Sequence, residues 1–266
     1  MNIAISGAGG MLGSHLCKIL NTSKTHNVFN LSLDHEYKKI NKALLIEFVV
    51  KNEIAVIVNC AATMDLKNDN DYKVNANLPR LLYDVLQENN SNSLKFIHIS
   101  SINVLLESRT NLYSRSKRAA ENSLRDTSAI ILRPHLIWSK TDEGDRKKLL
   151  NYINSPFPLK PVPYPGHTFC PVDVDSLASY ICETLSRDIN SAIINIQGDK
   201  KYSLWDLSNS LNGAKKKLIP VPTLFVEKIF PSKIKNLFPL SMRSTNTLDY
   251  NYELASKESF SVNLPM

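Results

Sequence analysis

The sequence predicts an α/β fold, a doubly wound parallel sheet in its first half followed by a smaller and less regular region. Three observations carry this. Short apolar runs alternate with stretches of helical period from residue 2 to residue 138. The first run turns into a helix through Gly7, Gly10 and Gly13. Beyond Trp138 the strand–helix alternation fades.

The elements follow in order. Asn2 to Ser6 is an apolar run ending in a polar residue, the pattern of a buried parallel strand. The glycines follow at steps of three, and Met11, Leu12, His15, Leu16 and Leu20 begin a helical stripe among them. A strand that enters a helix through glycines suits a phosphate diester. The backbone can be approached closely, and the helix start offers the N–H groups of residues such as Met11 and Leu12. The spacing is G-x-x-G-x-x-G rather than the commoner G-x-G-x-x-G. Gly7, Gly10, Met11 and Leu12 are therefore the expected cofactor-binding residues of a dinucleotide site.

Asn27 to Leu33 reads as the second strand, ending at Asp34. Asp34 lies about 20 residues past the glycines, where a carboxylate bonds the adenosine ribose. It favours NAD over NADP, although Lys38 and Lys39 follow; its other reading is a turn or cap before a helix from Lys38 to Lys51. Ile54 to Asn59 is a third strand, and Cys60-Ala61-Ala62 leaves room for a ligand against the backbone. Asp71 to Gln87 is helical, with Asn75 and Asn77 in its first turns and Pro79 set to kink it or mark its start.

Leu94 to Ser100 is the fourth strand, with Ser101 at its carboxyl end, where open α/β sheets bind ligands. Twelve residues on, Tyr113 and Lys117 share one helix face. An ammonium there favours the phenolate form of the tyrosine, and Ser101 can bond a reacting oxygen, which suits acid catalysis. Ala129 to Leu132 is the fifth strand, and Pro134 takes the chain out of the sheet. Ser139 to Lys148 is polar and charged and reads as a mobile loop. Ser155 to Gly166, rich in proline, reads as extended or loop structure. Asp175 to Arg187 is a helix with Asp175 as its N-cap, Ala192 to Gln197 a strand, and Leu204 to Leu211 a short helix. The rest, from Lys215, is basic and weakly periodic.

Composition bounds the function. The chain has 266 residues, 43% hydrophobic and 21% charged, which suits a globular enzyme with a real core. No apolar run is long enough to cross a membrane and no signal peptide is evident, so a cytoplasmic protein without membrane insertion is expected. Cys17, Cys60, Cys170 and Cys182 have no metal-ligand spacing and read as reduced thiols, with no metal site. The net charge of +7 suits phosphorylated ligands; no motif points to nucleic acid. His98 reads as a core histidine.

Taken together, Gly7/Gly10/Gly13, Asn59-Cys-Ala-Ala62, Ser101 and Tyr113/Lys117 make the chain resemble the short-chain dehydrogenase/reductase superfamily. Its finer features resemble the extended branch of nucleotide-sugar epimerases, dehydratases and reductases. Leu132-Arg-Pro134 is similar to that branch's L-R-P. Cys170 to Ala178 is similar to a stretch of the dTDP-4-dehydrorhamnose reductases, and Ser241-Met-Arg243 to a segment near the end of related enzymes. The resemblance implies a Rossmann-type dinucleotide-binding domain over 1–138 and a substrate-binding region over 139–266, with roughly 170–200 packing back on the first. It implies that Ser101 orients the substrate oxygen, Tyr113 is the acid/base, and Lys117 holds the nicotinamide ribose. Asn75, Ala61 and Ala62 would lie beside the cofactor, and Asn103 and Arg243 beside the substrate. A homodimer is also implied.

Three departures refine this. The serine–tyrosine gap is shorter than the extended branch's usual ~20 or more residues. Ile102 and Asn103 follow Ser101 where dehydratases carry acids, which argues against a dehydratase. Phe169 stands where epimerases often have an arginine. The expected activity is reduction of a keto group, at C4, on a nucleotide-activated sugar by NAD or NADP. The alternatives are a C4 epimerase with tightly bound NAD and a non-catalytic NAD(P)-binding regulator; the presence of both Tyr113 and Lys117 weighs against the latter.

Overall fold

A computed structural model describes residues 1–31, 41–64, 66, 69–89, 94–105, 111–164, 168–213, 216–222 and 253–254. Asp34, Arg243 and the 241–243 segment lie outside the described residues, as do Lys38, Lys39, Lys215 and His167. The chain divides into two compact units, residues 1–134 with 175–196, and residues 135–174 with 197–266.

In the first unit, β1 (Asn2–Ser6), β2 (Asn27–Leu31), β3 (Val56–Asn59), β4 (Lys95–Ile99), β5 (Ile130–Pro134) and β10 (Ile193–Gln197) form a parallel sheet. Their order is β10-β5-β4-β3-β1-β2. The chain passes from β1 outward to β2, then returns to β3 on the other side of β1. The crevice outside the carboxyl ends of β1 and β3 is thus the topological switch point, where ligands bind in such sheets. β3 is buried at every position, and β1 and β4 at all but their first. That is the signature of a sheet covered on both faces.

The helices of this unit are α1 (Met11–Ser23), α2 (Lys42–Lys51), α3 (Asp69–Glu88), α4 (Leu112–Leu124) and α6 (Val174–Ser186). One core joins Leu45 and Val49 of α2, Val74, Leu78, Leu82, Val85 and Leu86 of α3 and Leu124 of α4 to Ala4, Ile57, Phe96 and Ile131 of the sheet. Burying each large side chain contributes about 1.5–3 kcal/mol. Asn41 caps α2 by accepting from the Ala43 N–H at 2.9 Å, and Asn111 caps α4 by accepting from the Ser114 N–H at 2.8 Å.

The second unit has its own core, built from Trp138, Leu149, Ile153, Val162, Phe169, Tyr202, Leu204 and Leu207. Its elements include β6 (Ile137–Trp138), α5 (Gly144–Asn154), β7 (Leu159–Pro163), β8 (Thr168–Phe169), β9 (Val172–Asp173), β11 (Tyr202–Ser203), α7 (Leu204–Asn212) and β12 (Lys217–Val221). Within the proline-rich stretch Leu159–Pro163 is extended, since β7 pairs in parallel with β12. A reciprocal Ser203–Asp206 capping box starts α7, and Gly213 ends it at φ +50°.

Four local expectations are corrected. The expected loop 139–148 is helical from Gly144, because Leu149 and Ile153 dock α5 into the second core. Pro79 does not mark the start of α3, which runs through it; the packed stripe on either side holds the helix despite the missing N–H. β5 continues to Pro134, which sits opposite Ile196 of β10 at the end of the ladder. Asp175 lies inside the first turn of α6 rather than capping it, and receives His15 Nδ1 of α1 at 2.6 Å.

Candidate active site

The site is built on the first unit, from the carboxyl ends of β1, β3 and β4 and one face of α4. The glycine turn follows β1. Gly7 has φ +74°, and a Cβ there would lie 2.7 Å from the Ala61 backbone, so the turn after β1 rests directly on the residues after β3. The Gly10 N–H donates to the Gly7 carbonyl at 2.9 Å. Gly9 and Gly10 are exposed, with open space where a Gly9 side chain would stand. No side chain caps α1 and no acid stands in its first turn. The N–H groups of Met11 and Leu12 precede any intrahelical acceptor, and the helix dipole there is uncompensated. An open helix start of this kind, a backbone cradle, can take a diphosphate. The Leu12 side chain itself turns into the core, so its contribution to the cradle is its backbone.

Buried hydrogen bonds tie the strand ends together. The Ser6 hydroxyl donates to Asn59 Oδ1 at 2.5 Å, the Ala61 N–H donates to the same oxygen, and Asn59 Nδ2 donates to His98 Nδ1 at 3.2 Å. That bond places the ring proton of His98 on Nε2. Burial, then the nearby Lys117 charge, hold its pKa well below the ordinary histidine value. His98 is a neutral core histidine, fully buried. Cys60 is no nucleophile in this setting, since burial pushes its thiol up to about 12.

Asn75, 2% exposed, spends its carboxamide on protein. Its Oδ1 accepts from the Thr63 N–H, and its Nδ2 donates to the Thr63 carbonyl and the Ser116 hydroxyl, at 2.8, 2.8 and 3.3 Å. The Ser116 hydroxyl donates in turn to the Tyr113 carbonyl. The asparagine therefore clamps the chain after Ala61 and Ala62 to the first turn of α4. Ala61 is buried and Ala62 exposed.

Ser101 sits one residue past Ser100 at the end of β4, 9% exposed. Its hydroxyl accepts from the half-buried Asn103 N–H in a short 3-10 turn, at 3.3 Å. Tyr113, half-buried, and Lys117, 2% exposed, are one turn apart on α4. Lys117 Nζ donates to the Ile99 carbonyl at 2.7 Å, which seats this face of α4 on the end of β4, two residues from Ser101. Burial lowers the Lys117 pKa to about 8, against the opposing pull of Cys60 and Glu121.

Behind this face lies a cluster that the sequence reading passed over. Glu121, the next turn of α4, accepts from the Ser100 hydroxyl at 2.5 Å. It also accepts from Arg133 of β5, through Nε at 3.0 and 3.2 Å and Nη2 at 2.5 Å. The one sequence signal was the step of four from Lys117 to Glu121. Among the described residues no group of three or more His, Cys, Asp or Glu is placed to hold a metal, and no helix is long and apolar enough to cross a membrane.

Solved structures share this fold. A dTDP-4-dehydrorhamnose reductase of Clostridium acetobutylicum aligns with TM-score 0.70 and 19% identity over 84% of each chain. The dTDP-4-dehydrorhamnose reductase of Bacillus anthracis, in complex with NADP, gives TM-score 0.70 and 19% identity over 84% of this chain and 86% of its own. UDP-glucuronic acid 4-epimerase of Bacillus cereus, in complex with UDP-glucuronic acid and NAD, gives 0.67 and 19% over 84% and 86%. No curated protein matches the sequence. The family described as NAD dependent epimerase/dehydratase matches residues 3–156, the span that holds the glycine turn, Ser101, Tyr113 and Lys117, and the chain belongs to that family.

Proposed function

We propose that the protein is an NAD(P)-dependent reductase acting on a keto group, at C4, of a nucleotide-activated sugar. The observation that carries this reading is the seating of the Tyr113–Lys117 face of α4 on the end of β4, beside Ser101, on a sheet whose first turn is an open glycine cradle. The diphosphate of the cofactor would lie on the Gly7–Leu12 turn, with Ala61 and Ala62 on its adenosine side. When bound, the nicotinamide supplies hydride to the carbonyl carbon. The Ser101 hydroxyl orients the carbonyl oxygen. The Tyr113 phenol delivers a proton to that oxygen, and the Lys117 ammonium holds the ribose and eases loss of the phenol proton. Asn75 keeps the cofactor side and the tyrosine turn in register. Asn103 and Arg243 would bind the sugar nucleotide, and the chain would work as a cytoplasmic homodimer.

The twelve-residue serine–tyrosine gap and the likeness to dehydrorhamnose reductases support reduction. The likeness to 4-epimerases supports epimerisation as a second reading with the same residues. NADH and NADPH oxidation with a panel of 4-keto nucleotide sugars, with products weighed by mass spectrometry, tests the first reading. Tightly held NAD on purification, with interconversion of C4 epimers and no net oxidation of added cofactor, would replace it with the second. Tyr113→Phe is expected to lower turnover by about 10²–10⁴-fold while NADPH affinity stays within about threefold. Turnover unchanged in that variant removes Tyr113 from the chemistry.

A further inference from the structure

Buried charge in a protein interior is expensive unless it is paired. The first unit nonetheless gathers three charged side chains at the ends of β4 and β5: Lys117 and Glu121, both buried, and Arg133, half-buried. Arg133 bonds both carboxylate oxygens of Glu121 through Nε and Nη2, and Glu121 takes a further bond from Ser100. Ser100 is the neighbour of Ser101. Arg133 is in β5. Glu121 is one turn from Lys117 and two from Tyr113. A single carboxylate thus touches both strand ends that flank the site and belongs to the helix that carries its two titratable groups.

We infer that Glu121 is a positioning residue: its carboxylate, held by Arg133 and Ser100, locks α4 to the ends of β4 and β5 and supplies the negative charge that stands behind Lys117. The inference rests on the role proposed for Lys117, but its content is a property of the cofactor-free protein. The groups facing Lys117 are Cys60 after β3, His98 in β4, and Tyr113 and Glu121 on α4, with Arg133 beyond Glu121. His98 is neutral, and among these described groups Glu121 is the one carboxylate, whose pull on the ammonium stands beside that of Cys60. A contact that acted through shape alone would hold the helix without being felt at Lys117.

The test is the titration of Lys117 in cofactor-free protein carrying ¹³Cε-lysine, followed by NMR. Its signal is identified by its absence from Lys117→Arg. In Glu121→Gln, which keeps the shape and removes the charge, the midpoint should fall by about half a pH unit, a roughly threefold loss of proton affinity. Glu121→Asp, which keeps the charge, should recover most of that fall. Arg133→Gln removes the competing cation, so the midpoint should rise. An unmoved midpoint in Glu121→Gln, or an equal fall in Glu121→Asp, overturns the inference. If Glu121→Gln does not fold, the uncharged pair Glu121→Gln/Arg133→Gln decides: a midpoint below that of Arg133→Gln upholds the inference, and an equal or higher one overturns it. None of these readings needs a substrate, so failure of the reductase reading leaves them intact and is seen separately, in the keto-sugar assay.

Discussion

At Lys117 two demands oppose each other. The acid catalysis proposed for Tyr113 needs a cation beside the phenol, while the interior disfavours one, and burial brings the Lys117 pKa from 10.5 to about 8. The sign of the resulting pH dependence follows from proton counts. Between about pH 8 and 10.5 the unfolded chain still holds a proton that the folded chain has released. The unfolded state binds more protons there, so this group's contribution to stability rises with pH across that window. Below about 8 both states are protonated and the full burial penalty applies. Lys117→Met has no such term. The unfolding free energy of the native protein, relative to Lys117→Met, should therefore climb from pH 8 to 10, by at most ~1.4 kcal/mol per pH unit. Urea unfolding of both proteins at pH 7, 8, 9 and 10 measures it. A difference that stays flat over that range would mean that Lys117 titrates at the ordinary lysine value.

The βα turn shows how one element separates folding from binding. Gly10 and Gly13 look alike in the sequence, but added side chains would meet different things. Gly10 has φ −78° and ψ 168°, backbone that valine adopts readily, and its Cβ would stand 3.3 Å from one carbonyl oxygen, on the exposed side of the turn. A Cβ on Gly13 would overlap the Gly7 carbonyl from inside α1. Gly10→Val should fold normally but raise the NADPH dissociation constant by about 100-fold or more, about 3 kcal/mol, because branched carbons stand where the diphosphate must approach. Gly13→Ala should destabilise by about 1–3 kcal/mol, since the clash outweighs the ~1 kcal/mol that helix propensity favours alanine. Fluorescence titration and urea unfolding of the pair separate the effects; equal NADPH affinity in Gly10→Val and the native protein would remove the turn from the binding site. The same contrast explains what the sequence disclosed. Buried runs and stripes such as Val74–Leu78–Leu82 announce their elements locally, and so do the glycine turn and the Tyr113–Lys117 step. α5 was missed because its first turns are charged and the helix it packs on, with Leu204 and Leu207, lies far on in the chain. The Ser100–Glu121–Arg133 cluster was missed because it joins a strand end, a helix and a second strand, which no spacing reveals.

At the scale of the molecule, neither unit is a continuous stretch. The chain leaves the first unit after Pro134, returns at Asp175 and leaves again after Ile196. The returning piece is structural to the first unit. β10 pairs with β5, and Lys95 Nζ donates to the Thr184, Leu185 and Arg187 carbonyls at the end of α6, at 3.1, 3.0 and 2.5 Å. Residues 1–134 alone would leave β5 as an open apolar edge and those bonds unmade, a surface that invites aggregation. The remedy is visible in the second unit, where the Val172 N–H donates to the Leu136 carbonyl at 2.8 Å. The chain therefore comes back to within one hydrogen bond of where it left. A fragment of residues 1–136 and 172–197, joined by a short Gly-Ser linker, would contain every strand and helix of the first unit described above. It should be monomeric, unfold cooperatively and bind NADPH, yet turn over no keto sugar, because the second core is gone. It also lacks both Trp138 and Trp205, so NADPH emission is read without tryptophan background. Residues 1–136 alone should aggregate on size exclusion. If that shorter piece were equally monomeric and bound NADPH equally well, the returning α6–β10 segment would be an ornament to the sheet rather than part of it.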